Sequence, residues 1–188
     1  MATTKTLHDL FIDELRDSYD AERQLTKALP RLAKAASSEA LRDAFESHLE
    51  ETNGHVDRLE QVFSSLGYEA RGKHCEGMAG LIEEGRSVLE DDFDECTTDA
   101  GLIAAAQRVE HYEMAAYGTL VAWARLMGYS DAADLLQQTL DEEKAADEKL
   151  TSLAEGGINE QAMDASRAEE SNEEPTGAGA AKSSSRQR

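Results

Sequence analysis

The chain has 188 residues, of which 39 are acidic and 19 are basic, so its formal net charge is −20. Phosphate backbones and anionic membranes repel such a chain, which argues against a nucleic-acid or membrane-surface function. Only two prolines, 5% aromatic residues and many Ala, Leu and Glu favour one helical domain that folds without disulfides.

The two cysteines, Cys75 and Cys96, show neither zinc-site nor CxxC spacing. The N-terminal stretch lacks the regions of a secretory signal, and no run approaches the ~18 apolar residues of a membrane span. We therefore expect a cytoplasmic protein that does not enter a membrane.

The first two predicted helices form a hairpin. Helical spacing of apolar residues predicts a helix over Leu7–Ala35, and Pro30 is expected to kink or tighten its last turns. A serine of the segment SSE (37–39) caps the second helix, which runs to about Leu66 and ends at Gly67.

A long connection over residues 68–99 follows this hairpin. Within it, Met78–Phe93 is predicted to form a shorter helix, although Gly85 weakens the pattern. The segment TTD (Thr97–Asp99) is predicted to cap the third long helix, which runs to about Met127.

A second hairpin and a tail complete the chain. A short turn at 128–129 precedes Ser130, which is predicted to cap a fourth long helix ending near 155–157. Beyond it the sequence consists mostly of Ser, Gly, Ala and Glu, which cannot bury enough apolar surface to fold. The predicted organisation is a helical bundle over residues 1–158 and a disordered acidic, Ser/Gly-rich tail over 159–188.

Two tight hairpins joined by a long connection predict an all-α four-helix bundle with one crossover that contains a short extra helix. Helices of about 28 residues at ~1.5 Å rise span roughly 40 Å, a length suited to near-parallel packing.

Each predicted helix has an apolar stripe that becomes polar at its centre. The central positions are Ser18 and Glu22, then His48, Thr52 and His55, then Glu110 and Glu113, and finally Glu143 and Asp147, with Glu51 beside its stripe. In antiparallel helices, equal distances from the turn mean equal height. Glu22, Glu51, Glu113 and Glu143 lie at nearly equal distances from their turns. We therefore expect these carboxylates to meet at one level.

Several buried carboxylates require positive charge, because an unpaired one costs several kcal/mol or takes up a proton. No Arg or Lys lies on the stripes, so metal cations are the expected partners. Oxygen donors with an imidazole favour iron or manganese over zinc or calcium, and shared glutamates would hold two ions ~3.5–4 Å apart. A protonated or water-filled polar layer is the alternative. The predicted ligands are Glu22, Glu51, His55, Glu110, Glu113, Glu143 and Asp147, with Glu110 as a terminal or outer ligand.

Three further residues have a predicted role near this layer. His48 lies two turns from His55 toward the bundle end and is predicted to be structural or partly exposed. Tyr19 and Tyr117 flank the layer, either as core aromatics or as groups that carry electrons or tune the metals.

Four segments carry a resemblance to a known family. They are ELRDSYDAERQLTKALPRLAKAA, HLEETNGHVDRLEQVF, VEHYEMAAYGTL and TLDEEKAADEKL. Over about Leu7–Leu153 the chain resembles the ferritin-like di-iron carboxylate superfamily, and more closely its YciE/YciF-type bacterial stress proteins. The resemblance implies a ferritin-like homodimer linked to stress, with two iron ions in a ferroxidase-type centre that reacts with oxygen or peroxide.

The chain departs from the superfamily's usual Glu-x-x-His motif. It has Glu51-x-x-x-His55 and Glu143-x-x-x-Asp147, so one histidine is replaced by aspartate. A more acidic site favours manganese as an alternative to iron. Two functions are therefore open: a ferroxidase or oxygen- or peroxide-consuming oxidoreductase, and a non-catalytic acidic structural dimer with a vestigial metal site. Iron storage is not favoured, because it requires a hollow shell.

Overall fold

The computed structural model of the protein describes residues 4–172, and every regular element in that range is a helix. The helices are α1 (Leu7–Ala35), α2 (Glu39–Ser65), α3 (Glu76–Glu90), α4 (Glu95–Leu126), α5 (Ser130–Leu153) and α6 (Asn159–Asn172), with a π-helical turn over Ala154–Ile158. No helix in the described range is long and apolar enough to cross a membrane.

The four long helices form the bundle that the sequence predicts. Helix α1 packs against α2, α4 against α5, and the two hairpins meet through α2 with α5 and α1 with α4. Helix α3 lies in the crossover and packs against α4 and α1. The all-α bundle with one crossover and an extra helix is confirmed.

The predicted cap of the third long helix is wrong. Helix α4 begins at Glu95, because the Asp94 carboxylate accepts hydrogen bonds from the backbone N–H groups of Cys96 (2.9 Å) and Thr97 (3.1 Å). Asp99 instead lies buried inside α4. Its carboxylate accepts the backbone N–H groups of residues 37 and 38 at 2.9 and 2.7 Å, which ties the α1–α2 turn to α4.

The second turn also differs in detail from the prediction. Ser130 is the first residue of α5, and the capping position belongs to Tyr129, which makes no side-chain cap. Gly67 and Gly128, with φ of 76° and 78°, follow the ends of α2 and α4 in the left-handed conformation that glycine adopts without strain. Ser38 caps α2, as predicted.

The structure differs from the predicted tail over Asn159–Asn172, which forms helix α6. Helix α5 ends at Leu153, Gly157 (φ 134°) bends the chain, and α6 packs against α4. Ile158 is buried in the core at this bend, which anchors the start of α6. Residues 173–188 lie outside the described range.

Two apolar clusters fill the bundle, one toward each end. The cluster beside the α1–α2 turn includes Leu25, Leu41, Phe45, Ile103 and Leu150, and the opposite one includes Phe11, Leu59, Leu120 and Leu136. Burying one such side chain contributes about 1.5–3 kcal/mol. Between the clusters the bundle buries charged and polar groups instead, and this middle layer positions the site.

Candidate metal centre

All four bundle helices contribute buried donors to the middle layer. These are Glu22 from α1, His48 and His55 from α2, Glu110 and Glu113 from α4, and Glu143 from α5. None of them is more than 6% exposed. The site is therefore built from rigid helices rather than loops.

The donor atoms divide into two groups that share one residue. One group is His48, Glu110, Glu113 and Glu143, and the other is Glu22, His55 and Glu143. Within each group the donor atoms lie within 4.8 Å of one another. Because Glu143 belongs to both, it would help to hold an ion in either group.

The His55 ring is held from behind by a carboxylate. Its Nε2 donates to Glu142 Oε2 at 2.9 Å, and Arg58 bonds the same oxygen while also donating to Thr139 Oγ1 at 2.6 Å. The Nδ1 atom then faces the centre, 2.9 Å from Glu143 Oε1 and 3.4 Å from Glu22 Oε2. A carboxylate behind the imidazole is the usual way in which a metal-binding histidine is oriented.

The His48 ring has the same arrangement with its nitrogens exchanged. Its Nδ1 donates to Glu51 Oε2 at 3.2 Å. Its Nε2 faces inward, 3.5 Å from Glu110 Oε1 and 3.7 Å from Glu143 Oε2. Each histidine of α2 thus has one carboxylate behind it and the shared Glu143 in front.

The inward-facing atoms make no hydrogen bond of good geometry, although His55 Nδ1 lies 2.9 Å from Glu143 Oε1. They are Glu22 Oε2, His48 Nε2, His55 Nδ1, Glu110 Oε2 and both carboxylate oxygens of Glu113 and Glu143. A buried polar group without a partner costs about 1–3 kcal/mol, and more when it is charged. Donors converging on one point without partners of their own fit the coordination of cations.

Burial and mutual repulsion act on the carboxylates of α4. Burial raises the pKa of Glu113 well above 4.5, and the carboxylates of Glu22, Glu143 and Glu110 raise it further. Burial likewise raises the pKa of Glu110, against the opposing effect of His48. Without a metal, protons therefore take the place of cations on this side.

On the α2 side, the histidines carry the positive charge. Burial opposes protonation of His48, but Glu110, Glu51 and Glu143 outweigh it and raise the pKa to about 9. Glu143 and Glu22 overcome the burial of His55 in the same way and raise its pKa to about 11. Burial also works against the charge of Glu143, yet the two histidines lower its pKa.

The structure brings together five of the seven predicted ligands: Glu22, His55, Glu110, Glu113 and Glu143. Glu51 stays at the surface, with its side chain 43% exposed, and reaches the site only through His48. The inward face of α2 is the line through His48, Thr52 and His55, and Glu51 lies to one side of it.

Asp147 also lies outside both groups. Its Oδ1 accepts a hydrogen bond from Gln107 Nε2 at 3.1 Å and lies 3.4 Å from His111 Nε2. These contacts hold it at the α4–α5 seam, away from α2.

Two residues of the site, His48 and Glu142, were not predicted from the sequence to have these roles. His48 is part of the four-residue group rather than a structural residue. The signal was its place on the α2 stripe, on the same face as His55. Glu142, which holds the His55 ring, gave no such signal, because it lies off the α5 stripe.

The two tyrosines beside the layer differ in what they contact. The buried hydroxyl of Tyr117 donates to Glu22 Oε1. Tyr19 donates instead to Glu60 Oε1 at 2.8 Å. Only Tyr117 therefore contacts a donor of the site.

Comparison with known proteins places the chain in a family. Residues 6–163 match the family described as a domain of unknown function, DUF892. The chain belongs to the DUF892 family. Protein YciF of Escherichia coli K12 is 51% identical over 159 residues, which cover 84% of this chain and 96% of YciF. The predicted resemblance to YciF-type proteins is confirmed.

Solved structures of similar chains agree with the fold. The crystal structure of YciF, described as an E. coli stress protein, has a TM-score of 0.80 and covers 83% of this chain and 99% of its own. YcfI from Rhodopseudomonas palustris, described as a candidate structural protein, is 44% identical with a TM-score of 0.78, covering 79% and 94% of the two chains. A Xanthomonas campestris protein at 22% identity and TM-score 0.69 covers 86% of this chain and 99% of its own, and shows the fold alone.

Proposed function

We propose that the protein is a stress-associated di-metal carboxylate protein that binds two iron ions and acts on oxygen or peroxide. One observation carries the proposal. Glu143 is shared by two buried donor groups whose inward atoms lack hydrogen-bond partners. The homology to YciF, described as a stress protein, supports the link to stress.

The donor set favours iron, with manganese as the alternative. One group offers three carboxylates and an imidazole, and the other offers two carboxylates and an imidazole. Zinc sites of this size usually contain thiolates or several histidines, and calcium takes oxygen donors alone. Mixed carboxylate and imidazole ligation between four helices is the pattern of di-iron and di-manganese proteins.

The residues around such a centre would have different roles: some would hold the ions, and others would orient the ligands. Glu22, His55 and Glu143 would hold one ion, and His48, Glu110, Glu113 and Glu143 the other. Iron, when bound, supplies the electrons that reduce oxygen or peroxide. Glu142 and Arg58 fix the His55 ring, and the Tyr117 hydroxyl keeps a proton at Glu22 Oε1.

Metal analysis of the purified protein tests the proposal. After expression with iron supplied, we expect two iron atoms per chain and oxygen consumption on addition of iron(II). The Glu143→Gln variant removes the shared carboxylate, so we expect less than one atom per chain and loss of iron(II) oxidation. Glu148→Gln, an exposed change on the same helix, serves as the control. Wild-type protein with far less than one atom of iron or manganese per chain would reject the proposal.

A second function, a structural one, has an observation in its favour. The protonated His48 and His55 are able to neutralise the carboxylates without any metal, and YcfI is described as a candidate structural protein. In that case the layer fixes the register of the helices and Glu143→Gln removes no activity. Iron(II) oxidation that is present in the wild type and absent in the variant would exclude it.

The assembly and location remain part of the proposal. We expect a homodimer that works in the cytoplasm. Light scattering of the metal-loaded protein measures the subunit number, and a hollow shell of many subunits would favour iron storage instead.

A further inference from the structure

A cavity of about 410 Å³ opens between α2 and α5 and leads toward the candidate metal centre. Its buried lining includes His48 and Glu110 of the four-residue donor group. Its exposed lining includes Asp43, Glu51 and Lys149. The cavity therefore joins the surface to one half of the centre.

Small side chains keep this passage open. Ala40 and Ala44 line it from α2, and Ala145 and Ala146 line it from α5. Interfaces between helices are usually close-packed, with few voids larger than a water molecule. Four alanines where larger apolar residues would seal the seam leave room for a hydrated ion to approach.

The inner wall of the cavity belongs to residues that carry buried atoms without a hydrogen bond. His48 Nε2 and Glu110 Oε2 are both buried without a hydrogen bond, and their residues form the inner wall. At the outer end, Glu51 contacts the other nitrogen of the same ring, Nδ1, at 3.2 Å. One imidazole ring thus separates a surface carboxylate from the buried donor group.

We propose that this cavity is the route by which divalent cations enter the centre, and that Glu51 is the ligand that receives them at its mouth. The inference rests on the proposed metal-binding function. Asp43 and Glu51 make the mouth net negative despite Lys149. Carboxylate-lined clefts raise the local concentration of cations and their association rates by about 10–10³-fold.

The rate of metal uptake tests the route. We would mix metal-free protein with Co²⁺ under nitrogen in a stopped-flow instrument and follow the absorbance of bound Co²⁺. Glu51→Gln keeps the size of the side chain and removes its charge, so we expect uptake to slow by about tenfold. The final content should remain two Co²⁺ per chain.

Two further variants separate the route from general effects. Ala146→Leu narrows the passage without changing charge, so uptake should slow with the same end point. Glu50→Gln is the matched control, because Glu50 is exposed on the same helix but does not line the cavity. It should load at the wild-type rate.

Each other outcome overturns part of the inference. Wild-type uptake rates in both Glu51→Gln and Ala146→Leu would reject the route while leaving the metal centre intact. A final content of one Co²⁺ in Glu51→Gln would make Glu51 a resident ligand rather than an entry ligand. No uptake by the wild-type protein would mean that the proposed function itself fails.

Discussion

The two hairpins of the bundle contribute opposite charges to the same layer. The α1–α2 hairpin presents one carboxylate and two imidazoles, from Glu22, His48 and His55, whereas the α4–α5 hairpin presents the three carboxylates of Glu110, Glu113 and Glu143. In the metal-free protein, the first hairpin holds the balancing positive charge of the two imidazoles. The second hairpin holds carboxyl groups whose negative charge or protons are balanced or replaced by cations when metal binds.

This difference predicts that removing one buried group from each hairpin changes stability in opposite directions. A buried charge that loses its partner is strongly destabilising, whereas a buried acid without partners is costly to keep. Stability is measured on the metal-free protein in the presence of a chelator, so that only the side chains contribute to the free energy of unfolding.

The largest effect is expected for His55→Leu. The raised pKa of His55, about 11, keeps its imidazole charged among the carboxylates of Glu22, Glu142 and Glu143. Leucine has a similar size but removes the positive charge nearest to Glu22 and Glu143, whereas Arg58 still pairs with Glu142. We therefore expect a loss of about 3–5 kcal/mol in the free energy of unfolding. Urea unfolding at pH 7 measures it.

His74→Leu provides the matched control for that change. His74 is exposed in the loop before α3, so its replacement should alter stability by no more than about 0.5 kcal/mol. Equal, small effects of both substitutions would show that His55 does not hold the charge balance of the layer.

Glu113→Leu should have the opposite sign. Both oxygens of Glu113 are buried without a hydrogen bond, and burial raises its pKa, which favours the uncharged acid without giving it partners. Leucine removes that cost, and we expect the metal-free protein to gain about 1–3 kcal/mol. The same variant should lose the stabilisation that added iron gives the wild type. Glu148→Leu, at an exposed site of α5, is the control.

A destabilised Glu113→Leu variant would contradict this view of the second hairpin. It would mean that Glu113 has partners, such as ordered water, that satisfy its carboxyl group in solution. Measuring both variants in one urea series therefore tests whether the hairpins differ in sign.

The fold was predictable because its signals are periodic and local. Apolar stripes, the Ser38 cap and the glycines after two helices each act within a few residues along the chain. The helix α6 was not predictable in this way. It depends on the bend at Gly157 and on packing against α4, which composition alone does not show.

The position of the site along the bundle was predictable to within about one helical turn. The direction in which each side chain points was not. Counting residues from the turns placed Glu22, Glu113 and Glu143 in one layer, where the structure has them. The same counting favoured Glu51 and set aside His48. Seven residues separate His48 from His55, roughly 10.5 Å of helix rise, yet their ring centroids are only 6.2 Å apart because the rings lean together.

The smallest predicted effect is the contribution of His48 to the pH dependence of stability. His48 has a folded pKa of about 9 against 6.5 for an ordinary histidine, and it faces Glu51 on α2, Glu110 on α4 and Glu143 on α5. A group whose pKa is raised by folding stabilises fully below its unfolded pKa and loses that contribution as the pH rises through its folded pKa. The metal-free protein should therefore lose at least about 1 kcal/mol between pH 6.5 and 9. The raised pKa values of His55, Glu110 and Glu113 act in the same direction, whereas the lowered pKa of Glu143 matters only toward acid.

Urea midpoints at pH 6.5 and pH 9 measure this loss, and His48→Gln removes the titrating group while keeping a polar side chain. The fall in stability should shrink in that variant and also in the iron-loaded wild type, because an ion then occupies the position of the protons. If wild type and His48→Gln lose the same stability over this range, the imidazole of His48 does not supply the positive charge, and the contrast between the hairpins would rest on His55 alone.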